Sequence, residues 1–238
     1  MATTERSIIS LVFFTRLTLK GQDFAQQLLE VIYNQGQEFA PELFDDGKRL
    51  VPISLTNFNP LIKKWTYFNN ITMRRESKFV SEIAISMGFM ASGGFNTLSI
   101  WVEEDYFESQ SRTENFLQMS VTIYDLLCPM YGSIHQTQDA IKTATVQDPR
   151  YGQTVVPVDL RKGLPNVFWA NFFGPEYVEL IGKHKLLSTP CHEIKQLSDG
   201  GVLILTTFSP LTPSLEINRT KQKAVRDYWG EDLFYQWS

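Results

Sequence analysis

The sequence predicts an α+β protein, in which antiparallel sheet is covered by helices in two lobes of similar strand–helix–hairpin–helix order. Two pairs of strand-like runs flank glycine-rich turns, Ala91-Ser-Gly-Gly94 and Ser198-Asp-Gly-Gly201, and one-sided helical stretches separate them. Composition supplies the core: of 238 residues 43% are hydrophobic and 20% charged, with 14 glycines and 11 prolines. That balance excludes a disordered chain, a collagen-like repeat and a disulfide scaffold. A chain of this length can bury roughly 70–75% of its unfolded surface.

Ser7 to Phe14 is rich in Ile, Val and Phe and reads as the first strand. Phe24, Leu28 and Ile32 then recur at helical spacing, and Gly36 is placed for a left-handed cap. Pro41, Pro52 and Pro60 break the stretch 37–76, where Leu61 to Phe68 suggests a short helix. Lys78 to Gly88 and Asn96 to Glu103 form the first strand pair, with Gly93-Gly94 supplying the turn. Ser111-Arg-Thr-Glu114 has the spacing of a capping box and opens a helix stopped by Pro129. Its apolar residues Phe116, Leu117, Ile123, Tyr124 and Leu127 surround the axis, which predicts a helix sandwiched between other elements. Tyr131 to His135 is a further strand.

Residues 147–165 hold Pro149, Gly152, Pro157, Gly163 and Pro165 and read as a connector. Beyond it Asn166 to Phe173 is a strand, Gly174 breaks it, and Pro175 fits the first helical position because its missing N–H is not needed there. Tyr177, Val178 and Ile181 give that helix its buried face. His192–Leu197 and Val202–Phe208 make the second hairpin, and Thr212-Pro213 starts a last helix whose inward face is Ile217, Ala224, Val225 and Tyr228. The expected unit is one compact body over residues 1–238, with lobes 1–146 and 166–238 joined by connector 147–165.

The first residues lack the basic start, long apolar run and small-residue cleavage site of a secretory signal, and no segment reaches the roughly 20 apolar residues that span a bilayer. A cytoplasmic protein without membrane contact is expected, with Cys128 and Cys191 as free, packed thiols. Zinc, calcium and phosphate-binding motifs are missing, as is a nucleophile elbow, so neither a metal nor a cofactor is expected. Cys191-His192-Glu193 holds the right residue types for nucleophilic catalysis, but neighbours on a strand point to opposite faces. A cysteine-dependent enzyme would need His135 or His184 brought to Cys191 by the fold.

Charge is more informative. The chain carries a net −4, and Glu103, Glu104, Asp105 and Glu108 crowd around Tyr106 and Phe107, with Glu42, Asp45 and Asp46 as a second acidic spot. Such a patch disfavours nucleic acid and steers a basic protein partner, and its aromatics would carry contact energy. Arg219, Lys223 and Arg226 form a basic stripe on the last helix, which reads as its wet side.

One stretch carries a resemblance. Gly163-Leu-Pro-Asn-Val-Phe-Trp-Ala-Asn-Phe-Phe-Gly-Pro-Glu-Tyr-Val-Glu-Leu-Ile-Gly182, with Leu186-Leu-Ser188 and Ser198-Asp-Gly-Gly201, resembles the C-terminal part of bacterial immunity proteins of polymorphic and type VI toxin systems, nearest to the immunity protein 52 family. The likeness covers about residues 163–210, and its core is Trp169, Asn171, Gly174, Pro175 and Tyr177. The resemblance implies a protein that binds and neutralises a cognate toxin, often a nuclease, without an active site of its own. Its motif residues would then be structural: Trp169 and Tyr177 packing strand against helix, Gly174 allowing a close turn, and Asp199, Gly200 and Gly201 closing the hairpin. The rival readings are a structural or adaptor subunit of a secretion assembly and the cysteine-dependent enzyme.

Overall fold

A computed structural model describes residues 7–88, 94–148, 152–155, 158–211 and 215–235. Among these, ten strands form one antiparallel sheet: β1 (Ile8–Thr15), β2 (Leu43–Asp45), β3 (Leu50–Pro52), β4 (Asn70–Arg75), β5 (Ser81–Ser86), β6 (Asn96–Glu103), β7 (Tyr131–Gln136), β10 (Ala170–Phe173), β11 (Glu193–Gln196) and β12 (Val202–Leu205). A separate hairpin pairs β8 (Thr145–Asp148) with β9 (Gly152–Val155). The helices are α1 (Gln22–Gln35), α2 (Asn59–Trp65), α3 (Gln110–Leu127), α4 (Thr137–Ala144), α5 (Pro175–Ile181), α6 (Lys183–Leu187) and α7 (Leu215–Trp229). This is the α+β class the sequence predicts.

The strands lie in the order β11-β12-β10-β7-β1-β6-β5-β4-β2-β3. β1 is the axis, pairing β6 from Ile8↔Glu103 to Thr15↔Asn96 and β7 from Ile9↔Gln136 to Phe14↔Tyr131. β7 in turn pairs β10 from Tyr131↔Phe173 to Ile134↔Ala170, so the sheet runs unbroken from the first half of the chain into the second.

Two apolar cores cover opposite faces. Leu11, Phe13, Ile83, Ile100 and Phe172 meet α1 and α3 through Leu28, Ile32, Phe116 and Ile123. Phe14, Tyr131, Phe173 and Ile204 meet α5, α6 and α7 through Tyr177, Ile181, Leu186, Val225 and Trp229. Adjacent residues Phe13 and Phe14, or Phe172 and Phe173, divide between the cores because strand side chains alternate. The second core does not reach the far strands. Every residue of β10 and β12 is buried, whereas β5 alternates buried and half-buried along its length.

Several local expectations change. Gly36 follows α1 at φ −106, which is not left-handed; glycine fits there because a Cβ would stand 2.7 Å from the Phe39 ring and 2.9 Å from the Ile32 carbonyl. The capping box does not form, because α3 starts at Gln110 with Ser109 before it, ahead of the expected start at Ser111. Nor is α3 sandwiched: Phe116, Met119, Ile123 and Leu127 are buried, while Glu114, Gln118 and Asp125 face solvent. The strand expected from Asn166 begins only at Ala170, since Asn171 folds back to accept from the Phe168 N–H (3.1 Å) and donate to its carbonyl (2.9 Å). On α7 the inward residues are Val225 and Trp229; Ile217 and Tyr228 are exposed. Cys128 is exposed, in a left-handed conformation that ends α3, and Cys191 is half-buried. Gly94 has the positive φ expected of a turn, +84. Its neighbour Gly93 and the start at Thr212-Pro213 lie outside the described residues.

Candidate functional site: an acidic turn and the cleft beside it

β6 ends in the acidic stretch, and residues Glu104–Glu108 form a tight 3-10 turn. The Glu103 carboxylate accepts from the Val80 N–H (3.0 Å), closing the end of the β5–β6 pair, and Glu104 accepts from the Gln136 amide at 3.3 Å. Asp105 and Glu108 point to solvent. Tyr106 and Phe107 do not: both are 2% exposed, with Tyr106 edge-on to Phe39 and Phe79 and Phe107 edge-on to Phe116. Burial pushes the Tyr106 hydroxyl up to about 12. The expected aromatic contact pair is thus core, because the tight turn carries it past the end of β6 into the first apolar cluster.

A different aromatic faces outward. On β6, Leu98, Ile100 and Val102 point to the core, and the opposite phase holds Thr97, Ser99 and Trp101. Trp101 is half-buried beside a cleft of about 360 Å³ shared with Val80, Glu82 and Glu103 and with Arg74, Arg75 and Glu76. Glu82 sits opposite Trp101 on β5 and is ion-paired to Arg74 across β4 at 2.6 Å. The cleft carries both signs, with Arg74 and Arg75 paired to Glu82 and Glu42, and its indole and Glu103 can meet a basic group by apolar contact and charge. Trp101 escaped the sequence reading, although a large aromatic in the polar phase of an alternating strand is the signal that marks it.

The second acidic spot is spent internally. Glu42 pairs with Arg75 at 3.3 Å, Asp45 accepts from the Gly47 N–H, and Asp46 accepts from the Lys48 and Arg49 N–H groups, which hold its carboxyl below the ordinary range. Two of the three residues of the basic stripe are likewise engaged: Lys223 pairs with Asp227, and Arg226 pairs with Glu231 and lies over Phe234, while Arg219 lines the cavity beside His135.

No protein-family model matches the chain, and no curated protein matches it. In fold it is similar to the Pseudomonas aeruginosa T6SS protein PA0821, with a TM-score of 0.58 at 13% identity over 92% of this chain and 76% of that one. The likeness is one of fold. Among the described residues no helix is long and apolar enough to cross a membrane.

The residues behind the resemblance are architectural. Trp169 donates its ring N–H to the Thr207 carbonyl (2.8 Å) within the first core, whereas Tyr177 donates to the Leu160 carbonyl (3.0 Å) within the second. They buttress opposite faces rather than packing together. A Cβ on Gly174 would stand 2.1 Å from the Pro129 carbonyl, so the close turn is real, and Pro175 opens α5 as expected. In the hairpin Gly200 has φ +93, and Asp199 accepts from the Gly201 N–H (2.8 Å) and from the Tyr124 hydroxyl (2.9 Å). Of the catalytic candidates, Cys191 hydrogen-bonds the Glu193 carbonyl, and burial pushes its thiol up. His135 shares its bond with Ser133, His184 is exposed on α6, and His192 stands edge-on to Phe208. No hydrogen bond joins Cys191 to an imidazole among the described residues.

Proposed function

We propose that this chain is an immunity protein that binds a cognate antibacterial toxin, a nuclease acting in the cytoplasm, and silences it as a stoichiometric plug without turnover or cofactor. The observation that carries this reading is the fold shared along 92% of the chain with a T6SS protein. The resemblance of residues 163–210 to immunity proteins of type VI toxin systems supports it from the sequence side.

The chemistry is compatible. A nuclease lines its cleft with cations that bind phosphates, so an inhibitor that occupies the cleft gains from carboxylates. Glu103, Glu104, Asp105 and Glu108 supply them, and Trp101 replaces Tyr106 and Phe107 as the aromatic anchor, since interface energy concentrates in buried aromatics. The partner is a protein; nucleic acid and membrane are not bound.

Co-expression with each neighbouring open reading frame tests the reading. One neighbour is expected to arrest growth alone and to be rescued by this chain, with a one-to-one complex on purification. Asp105→Lys should slow association by about tenfold at low salt and less at high salt, and Trp101→Ala should speed dissociation. Neighbours that are harmless, or toxic with or without this chain, would overturn it.

A further inference from the structure

Among the described residues the sheet ends on one side at β11, where Glu193–Gln196 pair with β12 and no strand lies beyond. An open edge presents backbone N–H and C=O groups at the spacing of a next strand. Alongside runs the outward face of α3, where Glu114, Leu117, Gln118, Val121 and Asp125 recur at helical spacing. Helix and edge strand enclose a groove of about 410 Å³, floored by the partly buried Leu117, Val121 and Leu197. At Glu114 it meets a hollow of about 150 Å³ that holds Glu108 and Phe208, whose ring is 60% exposed. Glu108, Glu114 and Asp125 line the two, and the cation among the lining residues, Lys195, is paired with Glu193 at 3.2 Å.

We propose that this groove receives a basic, extended segment of a partner protein, which adds to β11 as a further strand. Its apolar side chains would rest on Leu117, Val121 and Leu197, and its cations would face Glu108, Glu114 and Asp125. An extended occupant follows from the wall: the open edge rewards a backbone that continues the ladder, which a helix cannot do. A basic occupant follows from the carboxylates. A second copy fits poorly, because edge-to-edge pairing would bring two acidic rims together. β11 has four residues, so the groove rather than the ladder must supply much of the affinity. The inference rests on the edge and the groove and does not need the toxin reading.

The test uses the full chain and a labelled lysine–valine alternating decapeptide, N-methylated on every second residue so that it pairs by one edge and does not self-associate. A glutamate–valine peptide of the same design is the control. The lysine peptide should bind at least about tenfold more tightly than the control, lose affinity with salt, and slow amide exchange at Glu193–Gln196. Glu114→Lys with Gln118→Lys, both exposed positions, should weaken it by about tenfold at an unchanged melting temperature. Equal binding of the two peptides, protection elsewhere than β11, or indifference to the charge reversal would overturn the proposal. So would a concentration-dependent dimer that protects the same amides, which would give the edge to a second copy. Growth rescue bears on the toxin reading alone, so the two fail separately.

Discussion

His135 lies at the end of β7 with its ring against Phe168 at 4.5 Å and its Nδ1 beside the Ser133 hydroxyl at 3.1 Å. Gln136, Asp139, Asn166, Trp169 and Arg219 complete the small cavity around it. Desolvation lowers its pKa to about 4, so the folded protein holds the imidazole neutral where the unfolded chain, near 6.5, would take a proton. As pH falls the unfolded state binds that proton first; stability complete above about pH 6.5 is therefore lost on the way down to about 4, some 3 kcal/mol in all. Urea midpoints across that window should fall in the native chain and fall less in His135→Gln; equal slopes would refute the assignment. Gly174 is constrained by space rather than by φ, which is −69. A methyl there meets the Pro129 and Met130 carbonyls at 2.1 and 3.1 Å, both backbone, so Gly174→Ala should cost about 3 kcal/mol in the same titration. Gly21→Ser should instead gain about 0.5 kcal/mol, because nothing lies within 4 Å of a Cβ there and α1 has no side-chain cap. The close turn at Gly174 was legible from Gly-Pro at a strand end. The burial of His135 was not, because a lone histidine says nothing of the helix and loop that will enclose it.

Elements with local causes were readable. β6 occupies Asn96–Glu103 as its alternation predicts, and the β11–β12 hairpin closes over Asp199-Gly200-Gly201, both fixed by neighbours in sequence. β2 and β3 were not: each has three residues and exists by pairing, Phe44 opposite Met73 of β4 and Val51 of β3, with Pro52 tolerable because β3 is an edge. The acidic turn was found, but Tyr106 and Phe107 were misplaced, since sequence proximity to carboxylates does not show which way a tight turn rotates its side chains. On α7 the missed anchor was Trp229, which donates to the Thr189 hydroxyl in the second core and sets the face that turns inward. The two phases of β6 make the sharpest test at this scale. Ile100 is fully buried and Trp101 half-buried on the other side. Ile100→Ala should cost about 2–5 kcal/mol in unfolding free energy, and Trp101→Ala under about 1 kcal/mol despite removing the larger side chain. A larger loss at Trp101 would place it in a structural role and remove it from the contact surface.

Across the whole molecule, the first and second parts of the chain are joined by β7 and β10, and both cores cross that seam. On one face Phe13 meets Phe172 at 5.1 Å and Tyr124 stacks on Phe172 at 5.9 Å; on the other Tyr131 meets Phe173 at 5.7 Å. Tyr124 also reaches from α3 to Asp199 in the second hairpin. Pulling the halves apart would expose these rings and unpair the backbone from Tyr131 to Ile134, so neither half has a cheap way to unfold alone. The chain should therefore melt in one transition even though its sequence order suggests lobes. Trp65 in the first core and Trp229 in the second are fully buried and report on each side separately. With Trp169 also replaced, variants that retain only one of these two tryptophans as the buried probe should each give a urea midpoint by fluorescence that agrees with that variant's own midpoint by far-ultraviolet circular dichroism. A fragment ending at residue 146 should fail to unfold cooperatively, because β7 would keep β1 on one side but lose β10 on the other, and Tyr131 would lose the second core. Two resolved midpoints, or a stable fragment with its own sharp transition, would show that the seam is a contact between lobes and not part of a shared interior.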